Sequence, residues 1–362
     1  MASSKVYNVG IVGWGLAAHV FHIPYITQIP QLNLVGGVTS RANAVKAPLK
    51  HYSTAKDLFA DPTVDVVVIG TPPNSHFDYV TQALNAGKHV LCEKPFVPTS
   101  AEAENLGALA KEKGKVLCVY QNRRWDSDFL TVKKLIADGT LGRVYEFETH
   151  FDRYRPKASE SPWKNDLSWD DGGGPLFDIG THLIDQAVTI FGKPDEVYGR
   201  FACQRGDGTG EIDSITAMLS YGKGMDVIVK AGAVSCEKHQ PRFWIRGTKG
   251  SFRKGGMDPQ EDQLKAGTGD RKEDVWQRED FGVEPKENAG TLCVAGKGDE
   301  ITEKVYPTVK PETYTAIYKE LVKAIASGRE DDIPVPASQA ALVLRIIEGL
   351  RKSAASGGKV TI

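Results

Sequence analysis

Residues 9–18 read VGIVGWGLAA, a short apolar run passing directly into Gly13-Trp14-Gly15-Leu16-Ala17-Ala18. A strand feeding a glycine-rich turn and then a helix is the setting in which G-x-G-x-x-A holds the pyrophosphate of a dinucleotide. Gly13 allows the tight turn, Gly15 lets the backbone approach a phosphate, and small Ala18 permits close helix–strand packing. A helix beginning near Ala17 points its backbone N–H groups and positive dipole end at the phosphates. Such an opening commits the chain to a βαβ beginning.

The second strand is expected over Leu32 to Val38, ending in Thr39-Ser40-Arg41. An NAD-selective domain places Asp or Glu about 20 residues past the glycines to bind the ribose 2′-hydroxyl. Here no acid occurs from Thr39 through Ala47; Ser40 takes that place, and Arg41 and Lys46 follow. A missing carboxylate removes repulsion, while a hydroxyl and a guanidinium bind a 2′-phosphate through charge-assisted hydrogen bonds. The expected cofactor is NADP(H) rather than NAD(H).

The first third continues as alternating strands and helices: strand 65–70, helix 76–86, strand 88–92, helix 99–113, strand 115–120. Its apolar runs are short, continuous and valine-rich, as in strands buried on both faces. That alternation predicts an α/β Rossmann domain, a doubly wound parallel sheet, over residues 1–122. Beyond about residue 143, segments 144–154, 195–205, 214–221, 225–235 and 241–253 read as strands without helices between most of them. Residues 123–362 are therefore expected to form an α+β domain with a large open, mostly antiparallel sheet. Residues 254–299 read as long loops, and helices are expected at 311–327 and 337–352.

With 362 residues, the chain has room for two cores. Its 45 basic and 46 acidic residues leave a formal charge of −1, which offers no field to recruit nucleic acid or an anionic membrane. No stretch approaches the ~20 apolar residues of a membrane span, and MASSKVYN lacks the apolar core of a signal peptide. Cys92, Cys118, Cys203, Cys236 and Cys293 are dispersed without C-x-x-C spacing. That pattern suits a reducing cytoplasm and argues against a disulfide framework or a zinc site. His19 and His22 are read as packing or solvent-facing side chains, and no metal is expected.

Open α/β sheets bind ligands beyond the carboxyl ends of their strands. Three strand ends deliver polar residues there: Thr71-Pro72-Pro73-Asn74-Ser75-His76, Glu93-Lys94-Pro95 and Gln121-Asn122-Arg123-Arg124-Trp125. Lys94, anchored in a proline turn, is poorly explained by packing. A second cluster follows Asp171-Gly172-Gly173-Gly174. On a regular helix over 175–191, Asp178, Thr181, His182, Asp185 and Thr189 share one face, either as an exposed stripe or as chemistry. Asp178 and His182 are within i,i+4 reach, and a carboxylate beside an imidazole orients a general base.

Together, G-x-G-x-x-A at Gly13–Ala18, E-K-P at Glu93–Pro95 and D-x-G-x-H at Asp178–His182 resemble the Gfo/Idh/MocA family of nicotinamide-dependent oxidoreductases. QNRRWDSDFLTVKKLI (121–136), FDRYRP (151–156) and DPQEDQLKAG (258–267) are similar to its NADP-dependent scyllo-inositol dehydrogenase subgroup. Gln121-Asn122 departs from the His-Asn of that subgroup. The resemblance implies Lys94, Asp178 and His182 as the catalytic set. It also implies Gly13, Trp14, Gly15, Leu16 and Ala17 at the pyrophosphate, and Ser40 and Arg41 at the 2′-phosphate. Thr71, Pro72, Asn74 and His76 would lie beside the cofactor, Glu93, Lys94 and Asn122 near its ribose or nicotinamide, and Trp163 over the ring. Arg123, Tyr154 and Asp185 would join Lys94, Asp178 and His182 on the substrate side.

The implied reaction moves a hydride between the nicotinamide and a secondary alcohol or ketone of a cyclic polyol or sugar, scyllo-inositol or its inosose first. An aldose 1-dehydrogenase or other sugar ketoreductase would use the same residues, and a non-catalytic dinucleotide-sensing regulator is the remaining alternative. The second domain would bind substrate and build a homodimer or homotetramer through its open sheet.

Overall fold

The computed structural model describes residues 5–157, 167–206, 208, 211–267 and 275–362. The chain divides into two compact units. The first comprises residues 1–125, 260–281 and 312–341; the second comprises 126–259, 282–311 and 342–362. The sequence reading keeps 123–362 as one domain, whereas residues 123–125, 260–281 and 312–341 cluster with the amino-terminal unit.

In the first unit, strands β1 (Tyr7–Val12), β2 (Leu32–Val38), β3 (Lys50–Tyr52), β4 (Val66–Ile69), β5 (His89–Cys92) and β6 (Leu117–Val119) form one sheet in the order β3-β2-β1-β4-β5-β6. All five pairings are parallel. Every residue of β4 is buried, which accounts for its unbroken valine and isoleucine run. Strand order reverses between β1 and β4, the point where open α/β sheets bind ligands. Crossover helices His76–Asn85 and Ser100–Glu112 match the sequence reading. The second starts from a reciprocal cap in which Thr99 and Glu102 satisfy each other's backbone N–H groups. Strand β3 and helix Ala55–Ala60 were not anticipated.

The second unit carries a nine-stranded sheet, formed by β7 (Val144–Asp152), β8 (Glu196–Ala202), β9 (Ser214–Tyr221), β10 (Met225–Gly232), β11 (Pro241–Gly247), β12 (Gly250–Gly255), β13 (Gly290–Ala295), β14 (Ile301–Tyr306) and β15 (Val360–Thr361). Their order is β14-β13-β12-β11-β7-β10-β9-β8-β15. Every pairing is antiparallel except β7 with β10. The expected single strand 241–253 is two, β11 and β12, joined through Thr248-Lys249 as a hairpin. The expected loops of 254–299 contain helix Gln260–Ala266 and strand β13. Helix Thr181–Phe191 packs on one sheet face, with Phe191 5.3 Å and Phe243 5.6 Å from the Phe147 ring.

Under that sheet lies a buried polar core. The Arg242 side chain, fully buried, donates to Asp128 Oδ2 at 2.8 Å, Thr149 Oγ1 at 2.9 Å, the His150 carbonyl at 3.2 Å and Gln186 Oε1 at 2.9 Å. Lys254 Nζ meets Glu284 Oε2 at 2.7 Å, and Ser127 donates to the other carboxylate oxygen at 2.7 Å. Burial and the Asp128 carboxylate push the Glu284 carboxyl up to about 7, against the pull of Lys254. An unfolded glutamate titrates near 4.5, so between those values the folded state holds the extra proton. The corresponding stability is full below pH 4.5 and is lost as pH rises through 7. Urea midpoints should therefore fall from pH 5 to pH 8, by up to about 3 kcal/mol in unfolding free energy. Glu284→Gln should flatten that slope, and an unchanged slope would refute the assignment.

Candidate active site

The glycine turn is built as the sequence demands. Gly13 has φ +97°, and a Cβ there would lie 2.5 Å from the Gly70 carbonyl oxygen at the end of β4. Only glycine fits both requirements. Around Gly15 a Cβ would meet nothing within 4 Å, leaving its backbone open to a phosphate. Ala18 is buried and Leu16 is 64% exposed. The following helix opens as a π turn over Ala18–His22 before the short α-helix Ile23–Ile26.

Arg41 and Ser40 are exposed at the end of β2. Arg41 Nη2 donates to the Trp14 carbonyl at 3.0 Å, which folds the guanidinium back over the glycine turn. A dinucleotide seated along this turn would meet open backbone at Gly15, with the Arg41 guanidinium nearby. The residues present fit such a group. Trp14 itself is turned inward: its Nε1 donates to the Ala44 carbonyl at 3.2 Å, and a side chain on Gly37 would run into its ring. Its backbone, not its indole, belongs to the phosphate turn.

At the end of β4, Thr71 Oγ1 and Ser75 Oγ are 2.7 Å apart, and Ser75 Oγ donates to the Pro72 carbonyl. This locked turn leaves Pro72 and Asn74 exposed. His76 is the other residue expected beside a cofactor at this turn. It is fully buried, with Nε2 2.7 Å from the Thr71 carbonyl oxygen and Nδ1 2.8 Å from that of Phe96. Burial pushes its pKa down. Its ring ties the β4 turn to the turn after β5, a supporting role.

After β5, Lys94 is half-buried, and its backbone N–H donates to Glu93 Oε2 at 3.0 Å. Asn122 and Arg123 are buried in the turn Asn122–Trp125. Arg123 is ion-paired with Glu261 on helix Gln260–Ala266. Burial works to raise the Glu261 carboxyl, yet the charges of Arg123, Lys265 and Lys94 bring it down to about 2. Sequence reasoning missed Glu261, whose partner is 138 residues away.

In the second unit, the segment expected as one regular helix is a π turn over Leu176–Gly180 followed by the α-helix Thr181–Phe191. Asp178 sits within the π turn and His182 in the first turn of the α-helix that follows it. Thr181, His182 and Asp185 are buried, which removes the reading of an exposed polar stripe. Asp185 is engaged through its carbonyl, which accepts from Thr189 Oγ1 at 2.8 Å. Single-turn π bulges occur often at functional positions in helices. Tyr154 is 58% exposed and its backbone bridges to Val234. Trp163 lies outside the described residues.

Comparison with known proteins gives the class. Residues 7–121 match the model of an oxidoreductase family with an NAD-binding Rossmann fold, and residues 129–253 match the GFO/IDH/MocA C-terminal domain. The chain belongs to the Gfo/Idh/MocA family of oxidoreductases. An uncharacterised oxidoreductase of Schizosaccharomyces pombe is 38% identical over 98% of this chain and 99% of its own length. The Bacillus subtilis protein IolW, named scyllo-inositol 2-dehydrogenase (NADP(+)), is 35% identical over 96% of this chain and 93% of its own. Among solved structures, the yvaA oxidoreductase of Bacillus subtilis superposes with a TM-score of 0.91 at 31% identity, covering both chains completely. Among the described residues, no helix is long and apolar enough to cross a membrane.

Proposed function

We propose that this protein is an NADP(H)-dependent oxidoreductase acting on a secondary alcohol or ketone of a cyclic polyol or sugar, with scyllo-inositol and its inosose as the first candidates. The observation that carries the coenzyme choice is Arg41 folded onto the Trp14 carbonyl, with no acid from Thr39 through Ala47. A guanidinium held there favours a 2′-phosphate, whereas the ribose diol of NAD calls for a carboxylate. IolW supports both the coenzyme and the polyol. A relative named D-glucoside 3-dehydrogenase, from Escherichia coli, is 31% identical over 53% of this chain and keeps sugars in view.

The proposed catalytic set is Lys94, Asp178 and His182. His182 takes the proton from the reacting hydroxyl during oxidation and returns it during reduction. Asp178 orients the imidazole, and Lys94 hydrogen-bonds the reacting oxygen and stabilises the negative charge that develops on it. The nicotinamide, when bound, supplies or receives the hydride. Ser40 and Arg41 hold the 2′-phosphate, while Glu93 and Asn122 are assigned to the ribose or nicotinamide. Arg123, Tyr154 and Asp185 are assigned to substrate hydroxyls, with Arg123 acting alongside Glu261. Residues 1–122 form the core of the coenzyme domain.

The second domain also builds a homodimer or homotetramer in this reading. Its sheet presents one row running Tyr198, Met218, Ile228, Glu148 and Trp244 across five paired strands. Tyr198 and Trp244 in that row are exposed, and a second copy would cover them.

Nicotinamide absorbance, followed with NADP and with NAD across inositol isomers, aldoses and their keto forms, tests the reading. NADP-linked turnover of scyllo-inositol or its inosose is expected. A preference for NAD would overturn the coenzyme assignment. Tight NADP(H) binding without turnover of any of them would overturn the polyol assignment.

A further inference from the structure

Behind the Glu93-Lys94-Pro95 turn, the first unit buries a histidine that the proposed chemistry does not use. His22 is fully buried on the π turn that follows the glycine motif. Two tyrosines pack against it, and a third packs on one of those. Tyr120 packs edge-on at 4.8 Å between ring centroids, Tyr318 lies at 6.5 Å, and Tyr25 stacks on Tyr318 at 6.3 Å. All three tyrosines are buried to within 1%. Tyr318 belongs to helix Thr315–Ser327, 296 residues along the chain from His22.

Each ring nitrogen of His22 has one polar neighbour. Nδ1 lies 2.7 Å from the Tyr318 hydroxyl. Nε2 lies 3.1 Å from Glu93 Oε1, at ion-pair distance though off the line of a well-aligned hydrogen bond. The other oxygen of that carboxylate, Oε2, accepts the backbone N–H of Lys94 at 3.0 Å. An ionised carboxylate only accepts, so the nitrogen facing it must carry a hydrogen. In a neutral ring, Nδ1 is then an acceptor, and the Tyr318 O–H is the donor that suits it. Burial pushes the Tyr318 phenol far above its ordinary value, which keeps that O–H in place. Tyr318 O–H donates to His22 Nδ1 and Lys94 N–H donates to Glu93 Oε2, while His22 Nε2–H faces Glu93 Oε1 at 3.1 Å as an electrostatic contact rather than an aligned hydrogen bond.

We propose that His22, fixed in its Nε2–H tautomer by the Tyr318 hydroxyl, is a positioning residue that orients the Glu93 carboxylate and, through it, the backbone of Lys94. The inference rests on the reading of Lys94 as a group that touches the reacting oxygen. Its physical content is that the tautomer is chosen remotely. Without the Tyr318 hydroxyl, the ring is free to carry its hydrogen on Nδ1, which turns a lone pair on Nε2 toward the carboxylate. Glu93 then moves away, and the amide it holds moves with it. Among the described residues, the titratable groups facing His22 are Glu93, Tyr120 and Tyr318, of which Glu93 is the carboxylate.

The test compares Tyr318→Phe with Tyr120→Phe in the full chain. Tyr120 lines the same cage, but its hydroxyl donates to the Phe21 carbonyl at 2.8 Å and touches neither His22 nitrogen. Nitrogen chemical shifts of the His22 ring report the tautomer directly. Wild type and Tyr120→Phe should show Nε2–H; Tyr318→Phe should show a mixture. Turnover of Tyr318→Phe should fall roughly ten-fold, short of the ~100-fold of a full ångström's misplacement. Its NADPH dissociation constant should rise by less than its turnover falls, because Glu93 is assigned to the ribose or nicotinamide while the phosphate turn at Gly13 and Gly15 is untouched. Tyr120→Phe should lower the melting temperature alone. An Nδ1–H tautomer in wild type, or equal turnover in the two variants, overturns the proposal. If wild type turns over none of the polyols, the functional reading fails, while the tautomer comparison still decides whether Tyr318 sets the state of His22.

Discussion

Lys94→Ala is expected to lower turnover at least ~100-fold while leaving NADP(H) affinity nearly intact. Lys94 leaves the sheet at the carboxyl end of β5, half-buried and with its N–H held by Glu93. In the proposed mechanism such a cation contributes most when negative charge builds on the reacting oxygen, and little to a coenzyme bound through Gly13, Gly15 and Arg41. The loss should therefore appear in kcat, with the dissociation constant of NADPH unmoved in a fluorescence titration. His182→Ala should behave alike, since in the proposed mechanism it removes the proton acceptor and not a coenzyme contact. Residues that act as one unit are not additive, so the double variant should be hardly worse than either single one. Unchanged turnover in either variant would remove that residue from the mechanism, and a large rise in the NADPH dissociation constant would reassign it to coenzyme binding.

Arg242→Met should destabilise the second unit by about 3–5 kcal/mol, read as a drop in the urea midpoint. The Arg242 and Asp128 side chains are both wholly out of solvent. Removing the guanidinium leaves a buried carboxylate without its cation and takes a donor each from Thr149, the His150 carbonyl and Gln186. An uncompensated buried charge costs far more than the intact pair contributes. Arg242→Met combined with Asp128→Leu should recover much of the loss, because apolar replacement of a buried pair is often neutral. Failure of the double variant to recover would place the cost in the lost packing against Phe243, where the guanidinium lies 4.0 Å from the ring centroid. Gln186 lies one helical turn beyond His182, so the single variant should also lose activity before it unfolds.

The readable parts of this chain were those whose physics is local. Gly13 and Gly15 follow from the turn itself, since one needs positive φ and the other an open backbone. Strands β1, β2 and β4 show as apolar runs because both sheet faces are covered. Arg242 was not legible. Alternation along Pro241–Gly247 places Arg242 on the same side as Trp244 and Arg246, but the register shifts between Pro241 and Phe243 and the arginine is buried. Asp178 was read on a regular helix, and nothing in PLFDIG announces a π turn. Strand β14, ITEKVY, is exposed along most of its length, and its apolar residues do not alternate as on a half-buried strand. His22 with Tyr318 and Arg123 with Glu261 lay beyond reach because each pairing joins residues far apart in sequence.

Those long-range pairings bear on how the protein is made. The first unit takes helix Gln260–Ala266 and helix Thr315–Ser327 from late in the chain, and Gln260 Oε1 accepts the backbone N–H of Tyr314 at 3.0 Å. During synthesis the six-stranded sheet is complete in sequence by Val119, yet the histidine behind Lys94 waits for a tyrosine some two hundred residues further on. Loop closure of that length is slow and is opposed by chain entropy until the distant contacts form. A nascent chain released early would carry a glycine turn able to meet a nucleotide but an unfinished lysine turn. Maturation of this enzyme is therefore tied to the arrival of its carboxyl-terminal third, and a fragment ending near residue 122 is not a miniature of its coenzyme-binding half.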